Sequence, residues 1–167
     1  MENERPKVGV GVMIMKDGKV LLSKRLASHG AGNYAFPGGH LEHNESVVDC
    51  AHRETREEAG IEVENIRFLC LSNIAKYPPK HYINIGVIAD WKAGEPTVGE
   101  PGKTEEWEWY AVDALPADLF DAIPNYIEAY KNGKVFYDLP KFPIMHVLER
   151  IRHALHVTTE VVLRELQ

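Results

Sequence analysis

The stretch from His52 to Gly60, HRETREEAG, limits what this chain can fold into more than any other part of it. Asn44 stands upstream as an N-cap, and Gly60 sits where a helix should stop. With Glu54 placed at zero on a helical wheel of roughly 100° per residue, Val47, Cys50, Ala51 and Ile61 fall within about 60° of it. Glu57 and Glu58 do too, whereas Asp49, His52 and Arg56 lie opposite. An amphipathic helix ordinarily buries its apolar stripe and solvates its charges. Here the stripe starts apolar and turns acidic. Either the last turns reach water, or the carboxylates face something that binds them. Like charges one turn apart destabilise a helix by about 0.2–0.5 kcal/mol. Buried, unpaired carboxylates cost more or take up protons. A hard divalent cation removes both penalties. Carboxylate clusters without Cys or paired His suit magnesium or manganese, and magnesium commonly joins carboxylates to substrate phosphates.

The rest of the chain reads as strands and two further helices. Val8 to Met15, VGVGVMIM, is apolar and β-branched, as a buried strand is. Asp17-Gly18 predicts a tight turn into the partner strand Lys19 to Ser23. Asn33 to Phe36 reads as a short strand stopped by a sharp turn at Pro37-Gly38-Gly39. Ile66 to Leu71, Tyr82 to Ala89 and Glu106 to Val112 read as further strands. Pro124 opens a helix that ends near Gly133. From Pro143 to Gln167, Ile144, Leu148, Ile151, Leu155 and Val162 recur at helical spacing. Strands interspersed with helices in 167 residues predict one mixed α/β domain.

Composition narrows the function. A net charge of −6 argues against a general nucleic-acid binder, which needs a basic face. Cys50 and Cys70 have no C-x-x-C spacing and read as small buried hydrophobes in a reducing compartment. The N-terminus lacks an apolar signal region, and no apolar run is long enough to span a bilayer. The expectation is a cytoplasmic protein without a membrane partner.

With the loop before it, the helix becomes specific. GHLEHNESVVDCAHRETREEAGI resembles the Nudix box: Gly39, Glu45, Arg53, Glu54, Glu57, Glu58, Gly60 and Ile61 stand at its fixed positions. Thr55, at a position usually aliphatic, is the one departure. Its hydroxyl can be satisfied on a preceding carbonyl, so the helix should survive. VGVGVMIM, LLSKR, GAGNYAFPGGHLE and EPGKTEEWEWYAVDALP extend the resemblance from about Lys7 to Tyr137, closest to the MutT-like branch that hydrolyses nucleoside triphosphates such as 8-oxo-dGTP. The implied fold is an α/β/α sandwich around a mixed sheet over residues 1–140. A C-terminal helical extension over 141–167 would pack on the domain or on a partner.

The resemblance also implies a site. Glu57 and Glu58 match the paired metal glutamates, Glu54 a metal ligand or general base, and Gly39 a backbone carbonyl ligand. Mg2+ is the expected ion, with Mn2+ as the other candidate. Arg53 would orient the carboxylates, with Glu45 assisting or serving the helix dipole. Among Glu100, Glu105 and Glu106, the Glu two residues before Trp107 is Glu105, which is chosen as the further catalytic carboxylate. Arg25 resembles a phosphate contact, beside Gly38 and Gly39. Tyr82 and Asn84 share a strand face and are candidates for base recognition; the neighbouring His81 is on the same strand. Trp107 and Trp109 read as core anchors. The expected reaction is water attack at phosphorus, giving nucleoside monophosphate and pyrophosphate. The box reads phosphate and metal only, so ADP-ribose, another nucleoside-diphosphate derivative or a non-nucleotide diphosphate is the alternative substrate. A non-catalytic nucleotide sensor is the alternative of another class. A homodimer is expected from the apolar stripe of the tail.

Overall fold

The computed structural model describes residues 5–26 and 30–139. Ten elements follow in order: β1 (Lys7–Lys16), β2 (Lys19–Arg25), β3 (Tyr34–Ala35), β4 (Gly38–His40), α1 (Val47–Ala59), β5 (Glu62–Tyr77), β6 (Lys80–Ala93), β7 (Thr104–Ala111), α2 (Ile123–Asn132) and β8 (Phe136–Leu139). The strands form one mixed sheet in the order β3-β2-β1-β6-β5-β8, with β4 paired to β1 and β7 to β2. The expected mixed α/β architecture is present, with a helix against each face. The helical extension expected over 141–167 lies outside the described residues.

Strand β1 organises both faces. It runs parallel to β6 from Lys7 opposite Tyr82 to Met15 opposite Asp90. Alternation sends Val10, Val12 and Ile14 to the face covered by α1, where they pack with Cys50, Ala51, Ala59 and Val87. Met13 and Ile88 point to the other face and pack with Ile123, Tyr126 and Ala129 of α2. Gly9 and Gly11 share the Met13 face and leave it hollow.

Local chemistry accounts for most element ends. Asp17 and Gly18 both take positive φ, 50° and 74°, so the β1–β2 connection is the tight hairpin turn the pair favours. Gly60 ends α1 in the left-handed conformation, its N–H donating to Arg56 O. Gly133 does the same after α2.

Four local expectations change. The N-cap of α1 is Ser46, whose Oγ accepts from Asp49 N at 3.0 Å. Asn44 instead occupies the left-handed region at φ 62°, in the turn two residues earlier, which Asn tolerates. Pro37-Gly38-Gly39 does not simply turn: Gly38–His40 is a strand antiparallel to Gly9–Gly11. Strands β5 and β6 outrun their apolar centres, because the hairpin continues through polar pairs such as Glu64 opposite Asp90. Strand β8 has no counterpart in the sequence reading; it is a four-residue edge, parallel to β5 at Leu71–Ile74. No described helix is long and apolar enough to cross a membrane.

Candidate active site

Helix α1 carries its carboxylates into the domain. Its buried residues are Cys50, Ala51, Glu54, Thr55 and Ala59, so the stripe on the wheel is the docked face. Thr55 fits it without loss, since its hydroxyl donates to Ala51 O at 2.8 Å. Glu54 is only 8% exposed. Glu57 lies at the margin, with 56% of its side chain exposed. Glu58 falls between the two.

Strand β4 is what these carboxylates rest against. Gly38 N donates to Glu58 Oε2 at 2.9 Å. A Cβ on Gly39 would stand 2.1 Å from Glu54 Oε1, so only glycine lets that carboxylate lie against the strand. Loop 94–103 closes the other side of the helix end. Gly99 N and Trp107 Nε1 both donate to Glu58 O, each at 3.0 Å.

Arg53 ties the cluster together. Its Nε and Nη2 donate to the two Glu45 oxygens at 2.7 and 2.9 Å, a bidentate pair. Its Nη1 reaches Glu54 at 2.7 Å and Glu57 at 3.3 Å, and Nη2 also donates to His40 O at 3.2 Å. One guanidinium thus holds three carboxylates and the end of β4.

The electrostatics separate these carboxylates. Hydrogen bonds from Arg53 and from the Glu42 backbone bring Glu45 down to about 2. Burial raises Glu54 despite Arg53. Burial, with the charges of Glu54 and Glu100 adding to it and the Gly38 N–H opposing it, pushes Glu58 up to about 7. Burial also lifts the Cys50 thiol to about 12, so it is an inert core group.

A cleft of about 240 Å³ opens on the α2 side of β4. Its floor is Gly9 and Gly11, and Gly38, Gly39 and His40 form the rim nearest the carboxylates. Arg25, Tyr82 and Asn84 all line it. The Arg25 guanidinium carbon lies 5.0 Å from the Phe120 ring centre, and its charge lowers Glu58. Tyr82 stacks on His40 with centroids 5.8 Å apart. Asn84 accepts a 2.8 Å hydrogen bond from the Tyr126 hydroxyl.

Other candidates sit elsewhere. His81 is out of register with Tyr82 and Asn84 and meets Asn73 Oδ1 at 2.7 Å. Trp107 is buried beneath α1, and Trp109 packs on the same core. Glu105 is an exposed residue of β7 whose carbonyl accepts from Ser23 Oγ. Glu100, passed over in the sequence, takes Lys103 at 2.6 Å, and its charge is felt by both Glu54 and Glu58. Sequence reasoning also missed His40, Phe120 and Tyr126 as cleft residues. His40 adjoins the box and was within reach; Phe120 and Tyr126 come from a distant segment with no local signal.

The donor set suits a hard cation in its chemistry: it is all carboxylate, partly buried, beside a glycine strand whose carbonyls can be approached. As the side chains stand, no three ligand-type groups among the described residues converge on one point. Arg53 and the Gly38 N–H engage the carboxylates instead.

A family model described as NUDIX domain matches residues 5–131. An ADP-ribose pyrophosphatase from Methanocaldococcus jannaschii is 35% identical over 133 residues, covering 77% of this chain and 76% of that protein. A NAD-capped RNA hydrolase NudC from Chromobacterium violaceum is 31% identical over 112 residues, 66% of this chain; the match spans only 41% of that protein. Among solved structures, a MutT NUDIX hydrolase from Burkholderia pseudomallei superposes with a TM-score of 0.72 at 36% identity, covering 75% of this chain and 98% of that one. The match over residues 5–131, which includes the acidic helix and the glycine strand it rests on, places the chain in its family: this chain belongs to the NUDIX domain family.

Proposed function

We propose that this protein hydrolyses a nucleoside triphosphate to nucleoside monophosphate and pyrophosphate, using a divalent cation, with magnesium as the ion. One observation carries the reading. The cleft lined by Arg25, Tyr82 and Asn84 opens at Gly38–His40, where Glu54 and Glu58 rest against the same strand. Its volume lies below the roughly 300–1,000 Å³ usual for ligand pockets. That size suits one nucleoside, with the phosphates leaving over β4 toward the carboxylates.

In this reading Glu54, Glu57, Glu58 and the Gly39 carbonyl would hold the cation, which would supply charge neutralisation for the polyphosphate and a lowered pKa for the attacking water. Arg53 keeps Glu54 and Glu57 from turning into solvent. Arg25 contacts a phosphate near the rim. A buried carboxylate with a raised pKa suits proton uptake from the attacking water, and Glu58 and Glu54 both have that character. Water adds its oxygen to phosphorus as the bridging P–O bond breaks. Pyrophosphate takes the electron pair, and the water proton passes to a carboxylate. Glu100 and Glu105 are the two candidates for the further carboxylate, and Glu100 has the electrostatic link to the cluster.

The relative named an ADP-ribose pyrophosphatase supports a second reading, hydrolysis of the diphosphate in ADP-ribose or a similar nucleotide sugar. A panel of dGTP, 8-oxo-dGTP, dCTP and ADP-ribose, assayed with magnesium, separates the two. The triphosphates are expected to turn over fastest, releasing pyrophosphate. Faster cleavage of ADP-ribose selects the second reading, and release of single phosphate contradicts the first. A homodimer belongs to the same proposal, and light scattering of the full chain should give twice the 18.9 kDa chain mass.

A further inference from the structure

The buried phenol of Tyr126 lines the cleft and has no task in the hydrolytic reading. It projects from α2 onto the sheet and is 1% exposed. Two missing side chains make its place. A Cβ on Gly11 would lie 2.3 Å from its hydroxyl, and one on Gly86 would lie 2.9 Å from its ring. Phe36 closes the remaining side, with ring centres 5.4 Å apart. The ring is therefore held where its oxygen meets β1 and β6.

That oxygen has a defined polarity. Burial raises the phenol's pKa, so it keeps its proton. A buried hydroxyl proton needs an acceptor, and Asn84 Oδ1 is 2.8 Å away. The assignment of the amide follows, because the opposite orientation would turn an N–H group toward the hydroxyl and leave its buried proton without this acceptor. Asn84 Nδ2 is left beside Gly9, in ordinary contact range of a Cβ built there, at 3.7 Å. It has no protein partner among the described residues and borders the cleft.

We propose that Tyr126 is a positioning residue that holds the Asn84 amide with its N–H donors toward the cleft, so that the site selects a nucleobase presenting an acceptor, a 6-oxopurine over a 6-aminopurine. The inference rests on the nucleotide reading above and adds the base class to it. A donor meeting the 6-amino group leaves two donors facing each other, and neither is satisfied. A site built to pair a specific polar group rejects partners that cannot complete the pair.

The probes are dITP and dATP, which differ at the purine 6-position and its adjoining N1 proton, assayed on the full chain with magnesium. The wild type should favour dITP by roughly tenfold or more in kcat/KM. Tyr126→Phe keeps the ring and removes the proton. It should shrink that ratio to about threefold or less, chiefly through a higher KM for dITP, as expected for lost uniform binding. Asn84→Asp leaves one oxygen for the Tyr126 proton and turns the other toward the cleft as an acceptor; it should invert the ratio. A merely structural Tyr126 would lower the melting temperature and leave the ratio alone. Wild-type indifference to the base, an unchanged ratio in folded Tyr126→Phe, or a retained 6-oxo preference in Asn84→Asp would each overturn the proposal. Calorimetric binding of IMP and AMP separates it from the hydrolytic reading. Tighter IMP binding without triphosphate turnover upholds the inference and ends that reading. Equal turnover of both triphosphates does the reverse, and binding of neither nucleotide ends both.

Discussion

Helices α1 and α2 pack on opposite faces of one sheet, and both send polar side chains onto it, α1 against β4 and α2 against β1 and β6. They do so in different ways. Helix α1 brings Arg53, Glu54, Glu57 and Glu58 from within six consecutive residues, so its geometry is set by helical spacing. Helix α2 brings the Tyr126 phenol to the cleft, and the place it occupies is made by Gly11 and Gly86 from strands far away in sequence. In the proposed function the acidic face handles the phosphate chemistry that every substrate would share. The opposite face, in the same proposal, meets the part in which substrates differ. Substitutions near α1 should therefore slow all substrates by a similar factor, and those near α2 should move one substrate against another.

The sharpest break of that contrast lies at Glu58. Glu58→Gln, and Glu57→Gln beside it, should lower magnesium-dependent turnover by at least about a hundredfold for every diphosphate tested, with an unchanged circular dichroism spectrum. Activity close to wild type would remove the cation assignment. Gly39→Ala comes next. Its Cβ would meet Glu54 Oε1 at 2.1 Å and push that carboxylate aside. A displacement of that size should cost about ten- to a hundredfold in kcat, equally for triphosphates and ADP-ribose. A substrate-selective loss would mean that β4 reads the nucleoside as well as bracing the helix.

Arg53→Lys keeps the charge and loses the fork that grips Glu45 while reaching Glu54. Roughly tenfold weaker magnesium affinity is expected, read by titrating the metal against turnover. Retained affinity would show that the carboxylates hold themselves in place.

The pH dependence of stability tests the burial of Glu58. Its folded pKa, about 7, lies above the ordinary value of 4.5, so folding without metal favours the protonated form. That contribution is complete below about pH 4.5 and is lost as the pH rises through about 7, up to about 3 kcal/mol in all. Thermal melts in chelator from about pH 5 to about pH 8 should fall more steeply for the wild type than for Glu58→Gln. Parallel slopes would place the titrating group elsewhere. The smallest expected effect is that of Trp107→Phe. It removes the 3.0 Å bond to Glu58 O and should cost about 1 kcal/mol in denaturant unfolding.

Much of α1 was legible beforehand because its information is local. The wheel placed Glu54 with Cys50 and Ala51, and the structure buries all three. Thr55 broke the pattern, yet its hydroxyl finds the preceding turn, as a mid-helix threonine can. The errors came where a neighbour decides. Gly38 and Gly39 carry turn chemistry, and the exposed edge of β1 drew them into a strand. Asn44 is a good cap by type, but Ser46 stands at the right distance from Asp49 N. Glu105, chosen by its spacing from Trp107, is not among these errors and stays a candidate beside Glu100, whose charge reaches Glu54 and Glu58 from a loop whose Gly99 docks on the helix end.

By itself the sequence determined the acidic stripe, the Arg53 fork within reach of it, the glycine stops and the alternation of β1. Each depends on residues a turn or a pleat apart, where the backbone period sets the geometry. Only the tertiary structure decided that β4 would brace Glu54 and Glu58, that Arg25, Tyr82 and Asn84 would share one cleft, and that Tyr126 would reach Asn84 across 42 residues. Those contacts depend on strand register and on which helix covers which face. Packing of the whole chain sets both, so no local window of residues contains them.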